Sequence, residues 1–518
     1  MSLLGIDVGT AGCVATAFSA EGAPLAQSRQ AYSTVAGPGG MLELDSRRVW
    51  NAVSRAVREV VSHTRQDPIR ALSVSSIGEA MAPLSAEGRI LGNCIVGPDD
   101  RIAHYAQDVA QSVGAQRLFD ITGNVAIGPY SLAGLCWLRE NEPRLFASAW
   151  RFLPLSSLVC HLLGGTATCD YSLASRTLLF DLGRKDWSRE LLQASNLSRQ
   201  KLPGLAPAGT PIGTVSPIRA QELGLRPRVR LILGGHDRCC RALGSGVTRS
   251  GMAVFGLGSQ VSVMPTFHAI PLTSLMLRRG LTMEHHLVPG LLVSSFYDRS
   301  GGSILRWFAE TLAPLERRQA RRRGVSVYDA LLAEMPEQPT RLMMLPHFAP
   351  TGPPHFDARA SGAILGLDTS TTRGEIIKAL LEGVTYRCAE GQMLFEEAGI
   401  RIQVYRATGG GARSNSWLQL GADILGLPVE RIQVVEPATL GAAMLAGVGC
   451  GAYADFEEAV EAAVHVERGF SPDAKRHAAY QVKMERYCEL YPLLRDYLHR
   501  LHDAQVGPRA VARKELQT

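Results

Sequence analysis

Apolar residues along this chain come in short blocks that end in glycine. Leu3-Leu4-Gly5-Ile6-Asp7-Val8 runs into Gly9-Thr10-Ala11-Gly12 and returns through Cys13 to Phe18, which predicts two strands joined by a glycine turn. Ala71 to Ser76 alternates as a strand does and leads into Ile77-Gly78-Glu79-Ala80. The unbroken apolar run at Val229 to Leu233 predicts a buried strand that exits through Gly234-Gly235-His236-Asp237. Past Gly246 the opening design repeats: Ala253-Val254-Phe255, then Gly256-Leu257-Gly258-Ser259, then a returning strand through Val263. Ile402 to Ala407 is a further strand, running into Gly409-Gly410-Gly411 and then Ser414-Asn415-Ser416 at the head of a helix that reaches Leu425.

Helical spacing marks the segments between these strands. Arg47 to His63 carries Val49, Ala52, Val53, Ala56, Val57 and Val60 near one face. Thr372 with Glu375 forms a capping box ahead of Ile376, Ile377, Leu380 and Val384, and Glu382-Gly383 in that helix predicts close packing near the site. Leu440 to Gly447 is a helix of small residues, expected to pack against the three-glycine turn. Residues 102–200 read as mainly helical, with Trp137, Trp150, Leu153 and Leu158 as core candidates. Strands alternating with helices give an α/β class, and a duplicated opening gives two domains, 1–246 and 247–504, with a polar, frayed tail at 505–518. A length of 518 residues at 46% hydrophobic content is enough for two cores.

Charge and cysteine content narrow the class of protein. A net charge of +6 spread over the chain argues against nucleic acid or a membrane as partner, and the Arg317 to Arg323 run lacks interleaved aromatics, so it reads as a solvated helix end. No window is apolar enough to span a bilayer and the first strand begins at once, which predicts a cytoplasmic protein. The ten cysteines show no CxxC pairing and read as reduced, buried residues. Cys13 and the Cys239-Cys240 pair flank the expected site, so alkylation there would disturb it.

The strand exits supply the candidate chemistry. Asp237, a carboxylate just past the end of a buried strand, is placed to act as a general base. Glycines at Gly9 and Gly258, each followed by a hydroxyl at Thr10 or Ser259, let backbone N–H groups approach phosphate oxygens, and Asp7 can hold a hydrated magnesium ion. Gly301-Gly302 opens a helix whose free N–H groups favour an anion. The Gly409 to Gly411 turn leaves room for a flat ring, and Asn415 can recognise an adenine edge. Glu79, Asp99 and Arg101 suit a polyhydroxylated substrate, although a solvated loop accounts for them equally well.

In this order the segments resemble the FGGY carbohydrate kinases, the family of xylulokinase and glycerol kinase, over nearly the whole chain. The resemblance rests on Gly5-Ile6-Asp7-Val8-Gly9-Thr10, Gly234-Gly235-His236-Asp237, Gly409-Gly410-Gly411 and Leu440-Gly441-Ala442-Ala443. It implies two duplicated actin/hexokinase-like domains of ribonuclease H type with a cleft between them. It implies ATP and Mg2+ as cofactors, a free sugar or polyol as substrate, and Asp237 as the base that deprotonates the acceptor hydroxyl. Asp7 would help place magnesium, Gly9-Thr10 and Gly258-Ser259 would hold phosphates, and Gly302, Leu305, Gly410, Gly411 and Asn415 would line the adenosine pocket. No partner beyond the substrate is implied, and a homodimer is left open. Four positions depart from the common pattern. Val14 stands where a Lys or Arg usually closes the first phosphate loop, and Gly97 stands where a Trp usually precedes the Asp-x-Arg motif. Ile77-Gly78-Glu79 keeps the Glu of a glycerol-kinase-like Arg-Glu pair without its Arg. Gly352-Pro353-Pro354 replaces a familiar Gly-Glu-Arg. These departures motivate a rival reading, a non-catalytic or regulatory nucleotide-binding protein on the same scaffold.

Overall fold

The first half of the chain is built on the hairpin β1 (Ser2–Val8) and β2 (Gly12–Phe18), extended by β3 (Pro24–Ala31). Helix α1 (Ser46–His63) follows, capped by the Asp45 carboxylate, which accepts from the Arg47 and Arg48 N–H groups. Its apolar face covers one side of the sheet with Val49, Val53, Val57 and Val60. β4 (Ile69–Ser76), β5 (Pro211–Thr214) and β6 (Arg230–His236) complete six strands in the order β5-β6-β4-β1-β2-β3. β1, β4 and β6 run parallel, and the outer pairs are antiparallel. β6 passes directly into helix α2 (Asp237–Gly244). In this computed structural model the described residues are 2–515 apart from 37–39, 98, 100, 103 and 435.

The second half repeats the plan. β7 (Met252–Leu257) and β8 (Val261–Phe267) form the hairpin, followed by β9 (Met283–His285), β10 (Leu292–Ser294) and β11 (Phe296–Asp298). Helices α3 (Gly302–Thr311) and α4 (Arg373–Glu397) precede β12 (Val404–Thr408), α5 (Asn415–Leu425) and β13 (Val429–Ile432). Helix α6 (Pro437–Cys450), β14 (Val466–Phe470) and α7 (Ala474–Glu515) close the chain. The strand order is β9-β10-β8-β7-β12-β13-β14, with β7, β12 and β13 parallel. β7 is thus the counterpart of β1, β12 of β4 and β13 of β6, and α6 leaves β13 as α2 leaves β6. The expected α/β class and duplicated two-domain architecture are both present.

The two halves meet at α2 and α6. A Cβ on Gly441 would lie 1.9 Å from the Cys240 carbonyl oxygen, and one on Gly244 would lie 1.9 Å from that of Pro437. A Cβ on Gly5 of β1 would stand 1.8 Å from the Thr439 carbonyl oxygen. Only glycine allows backbones this close. Around them Leu3, Ala71 and Ile232 of the first sheet share one apolar cluster with Cys240, Leu243, Leu440, Met444 and Val254.

Four expectations need correction. Helix α6 does not pack against the three-glycine turn; its small residues press on β1, β4 and α2, because that is where the backbone approach is tightest. Trp150 is not core: it is 38% exposed, with the Arg151 guanidinium 4.6 Å above its ring. Glu382 is close-packed but remote from the site, bound by Thr340, Tyr480 and Lys483. The flanking thiols are sealed rather than reactive. Burial pushes Cys13 up to about 11 and Cys239 and Cys240 well above the ordinary range. The capping box of Thr372 and Glu375 forms as expected. The backbone of α7 stays helical past Gln505 to Glu515.

The glycine contact makes a direct prediction. Gly441→Ala should destabilise the protein by about 2 kcal/mol or more, since the obstacle is a carbonyl oxygen of fixed backbone. Gly469→Ala, where an added Cβ meets nothing within 4 Å, should stay within about 0.5 kcal/mol. Denaturant unfolding of the two variants beside the parent checks this, and equal midpoints would remove the contact from the role given to it.

Candidate active site

Between the two sheets lies a cavity of about 740 Å³. The first half lines it with Glu79, Gly97, Tyr130, Arg176, Arg238 and Arg241, and the second with Gly256, Gly258, Ser262, Tyr297, Arg299, Gly409 and Glu436. Tyr297 of β11 and the residues flanking that strand, Ser295 and Arg299, occupy alternate positions, which sends one face of this segment to the cavity.

Asp237 is the first residue of α2, at the carboxyl end of β6, as strand-exit chemistry requires. Its neighbour His236 is fixed from three sides. The His236 N–H donates to the Ser172 hydroxyl at 2.9 Å, its Nδ1 is 3.2 Å from Glu284 Oε1, and its Nε2 is 3.1 Å from Asp237 Oδ1. Burial alone would lower the imidazole, but Glu284 and Asp237 together raise it. The ring thus sits between two carboxylates, bonded to Glu284 and within ion-pair distance of one oxygen of Asp237. Among the described residues nothing binds the other, Oδ2. Glu284 belongs to β9 of the second half, so this chain of bonds crosses between the domains.

Asp7, on β1, accepts from the Ser75 hydroxyl at 2.7 Å. Burial, and then the nearby charge of Asp237, raises its carboxyl to about 6. Two carboxylates this close repel each other, and a divalent cation is what would relieve them, so the donor set fits magnesium. Gly9 donates its N–H to the Gly12 carbonyl at 2.9 Å in the hairpin turn, and Thr10 beside it is exposed. Val14 faces Asp7 across the hairpin, and Arg29 faces Val14 from β3. Arg29 pairs with Glu436.

Three glycine turns converge in the second half. Gly302 donates its N–H to the Gly258 carbonyl at 2.8 Å, and a Cβ on Gly302 would stand 2.9 Å from that oxygen. Gly409 adopts φ +88°, where a Cβ would meet the Leu257 carbonyl at 2.8 Å. A Cβ on Gly411 would strike the Trp417 ring at 2.7 Å, whereas Gly410 faces open space. The Ser259 hydroxyl accepts from Arg306 at 2.9 Å, and Asn415 Oδ1 accepts from Arg431 at 2.8 Å. Leu305 is buried in the second core.

On the other side of the cavity, Glu79 accepts from Arg176 at 2.6 Å. Burial would raise this carboxyl, yet Arg176, His236 and Arg238 hold it at about 2. Asp99 and Arg101 are spent on structure instead. Asp99 accepts the Leu42 N–H at 2.8 Å and the Arg101 guanidinium at 2.6 Å, while Arg101 also reaches Glu43 and lies 4.6 Å above the Trp137 ring. Neither lines the cavity. Asp100, read with them as a loop carboxylate, lies outside the described residues. The cavity residues not anticipated from sequence include Tyr130, Arg176, Arg241 and Tyr297. Arg241 alone had a signal, since it lies one helical turn after Asp237 on the same face.

Comparison with known proteins identifies the family. Residues 2–244 match the N-terminal-domain model of the FGGY family of carbohydrate kinases, and residues 289–450 match its C-terminal-domain model. The chain is 30% identical to the xylulose kinase of Escherichia coli (strain K12) over 503 residues, covering 95% of this chain and 99% of that protein. It is 27% identical to the glycerol kinase of Symbiobacterium thermophilum over 487 residues, covering 91% and 94%. The crystal structure of the xylulose kinase from Rhodospirillum rubrum superposes with a TM-score of 0.86 at 25% identity, covering 96% of this chain and 100% of that one. No helix among the described residues is long and apolar enough to cross a membrane. The chain therefore belongs to the FGGY family of carbohydrate kinases and is an ATP-dependent sugar or polyol kinase.

Proposed function

We propose that Asp237 is the general base of this kinase and that MgATP binds between the halves, with residues 1–246 holding the acceptor and 247–504 the nucleotide. The observation that carries this reading is the half-fixed carboxylate. His236 engages Oδ1 of Asp237, and Oδ2 has no partner among the described residues. An acceptor hydroxyl bonded to Oδ2 would lose its proton to Asp237 as its oxygen attacks the terminal phosphorus of ATP, and the bond from that phosphorus to the β–γ bridging oxygen would break to release ADP. His236, 3.1 Å from Oδ1, orients the carboxylate for this transfer, and Glu284 keeps the His236 ring from turning.

Asp7 would hold magnesium, which supplies charge neutralisation at the phosphates. Gly9 and Thr10 on the first hairpin, and Gly258 and Ser259 on the second, would offer N–H and hydroxyl donors to phosphate oxygens. Gly302, Leu305, Gly410, Gly411 and Asn415 would surround the adenosine, with the open face at Gly410 giving the ring room. Glu79 would accept from acceptor hydroxyls, its position set by Arg176. Exclusion of water as the halves close would limit wasteful hydrolysis. This reading fits a protein of the cytoplasm, where ATP is abundant.

Two outcomes test the proposal. Asp237→Asn should keep nucleotide binding, measured by calorimetric titration, and lose about a hundredfold or more in kcat. Near-normal turnover would take the base role from Asp237 and favour a regulatory nucleotide binder. The second concerns Asp7, whose carboxyl moves from 3.8 to about 6 on folding. A raised carboxyl favours the folded state below pH 3.8, and that contribution is lost as pH climbs through 6. Asp7→Asn removes the buried charge and should raise Tm by roughly 1–3 °C at pH 7.5, with the gain shrinking toward pH 4.5, while activity falls. A variant less stable than the parent at pH 7.5 would mean that Asp7 is a structural acid.

A further inference from the structure

The charges lining the cavity do not balance. Its carboxylates, Glu79 and Glu436, are each already paired, with Arg176 and Arg29. Its remaining guanidinium groups, Arg238, Arg241 and Arg299, have no ion pair or hydrogen bond among the described residues. They divide between the two ends. Arg241 acts on Asp7, at the end that the proposed phosphates would occupy. Arg238 acts on Glu79, His236 and Glu284, which mark the acceptor end. A neutral polyol there would find Glu79 as a hydrogen-bond acceptor for its hydroxyls and would bring no direct partner to the half-buried Arg238 guanidinium.

Two glycines shape the wall at this end. A Cβ on Gly78 would lie 2.5 Å from Arg176 Cγ, so the glycine is what lets Arg176 reach Glu79 from a distant part of the chain. A Cβ on Gly97 would lie 1.8 Å from Pro129, which leaves no place for a larger residue in the wall that these two share with Tyr130. The structure thus adds two arginines, Arg176 and Arg238, around one carboxylate, with a third, Arg299, exposed along the β11 face.

From the unpaired Arg238 beside the Arg176–Glu79 pair, we infer that the acceptor is an anionic polyol: a polyhydroxylated chain whose charged group is bound by Arg238 and whose hydroxyls meet Glu79 and Asp237. This rests on the kinase reading above and specifies its substrate class. A planar guanidinium matches a carboxylate or a phosphate by paired N–H donors, so the recognising chemistry is shared by an aldonate and a sugar phosphate. A site built around such a contact discriminates strongly against the analogue that lacks the group.

The test is an acceptor panel with MgATP: short-chain aldonates, the alditols and ketoses that match them in length, and their monophosphates. An anionic member should exceed its neutral counterpart in kcat/KM by about a hundredfold. Whether an aldonate or a monophosphate leads tells the source of the charge. Arg238→Gln should raise KM for the anionic acceptor by about tenfold or more and leave KM for ATP within about twofold, with Arg238→Lys recovering part of the loss. Preference for neutral acceptors, or an effect of Arg238→Gln on KM for ATP alone, would overturn the inference and assign Arg238 to the nucleotide. If no acceptor is phosphorylated, the kinase reading fails, and calorimetric titration of each anionic compound into the protein without nucleotide decides the rest. Binding that disappears in Arg238→Gln upholds an anion site there, and absence of binding overturns it.

Discussion

Everything in this molecule depends on how closely two helices can lie. Where Gly441 meets the Cys240 carbonyl and Gly244 meets that of Pro437, side chains are excluded and backbone packs on backbone. This contact joins the two repeats at the base of the cleft, because α2 and α6 are the helices that leave equivalent strands of the two sheets. It also explains the composition of α6. A helix that must press on α2, β1 and β4 together needs Gly441, Ala442, Ala443 and Ala446. Dispersion and burial reward such packing only while the shapes match to a fraction of an ångström.

The same joint fixes the electrostatics. Asp237 opens α2 at the end of β6 and acts on Asp7 of β1, with β4 between the two strands, so two acids are brought together by the topology of the sheet rather than by a loop. The cost appears as the raised carboxyl of Asp7. His236, one residue before Asp237, passes the influence of Glu284 from the other half into the first. The alignment of the acid thus depends on both domains being in register, which links the glycine contact to the chemistry through four residues.

Much of this was legible from the chain because glycine turns and strand exits are local signals. Asp7, Asp237, Gly258 and Gly409 each stand at or near the end of an apolar run, and Gly302 opens a helix. The repeat of the hairpin after Gly246 announced the duplicated sheet. Arg176, Tyr130 and Glu284 carried no comparable mark. Arg176 lies in a short helical region with its own core, and its approach to Glu79 depends on Gly78, almost a hundred residues away in sequence. Small residues in α6 signalled close packing without naming the surface, and for the same reason Glu382 looked like a site residue when its partners are Lys483 and Tyr480. Trp150 shows the limit of hydrophobicity as a guide, since an indole can cover a surface beneath an arginine.

The departures from the family pattern become coherent once the neighbours are known. Without an Arg at position 78, Glu79 would be a lone buried carboxylate, and the small residue there is what admits Arg176 to pair with it. At Val14 the strand partner loses a cation, yet Arg29 on the next strand and Arg241 on α2 both stand in the same neighbourhood, the first against Glu436 and the second acting on Asp7. A change that deletes a side chain from a motif therefore says little about lost function until the space it vacates has been examined, because a guanidinium on a long flexible stem can fill that space from another strand or helix.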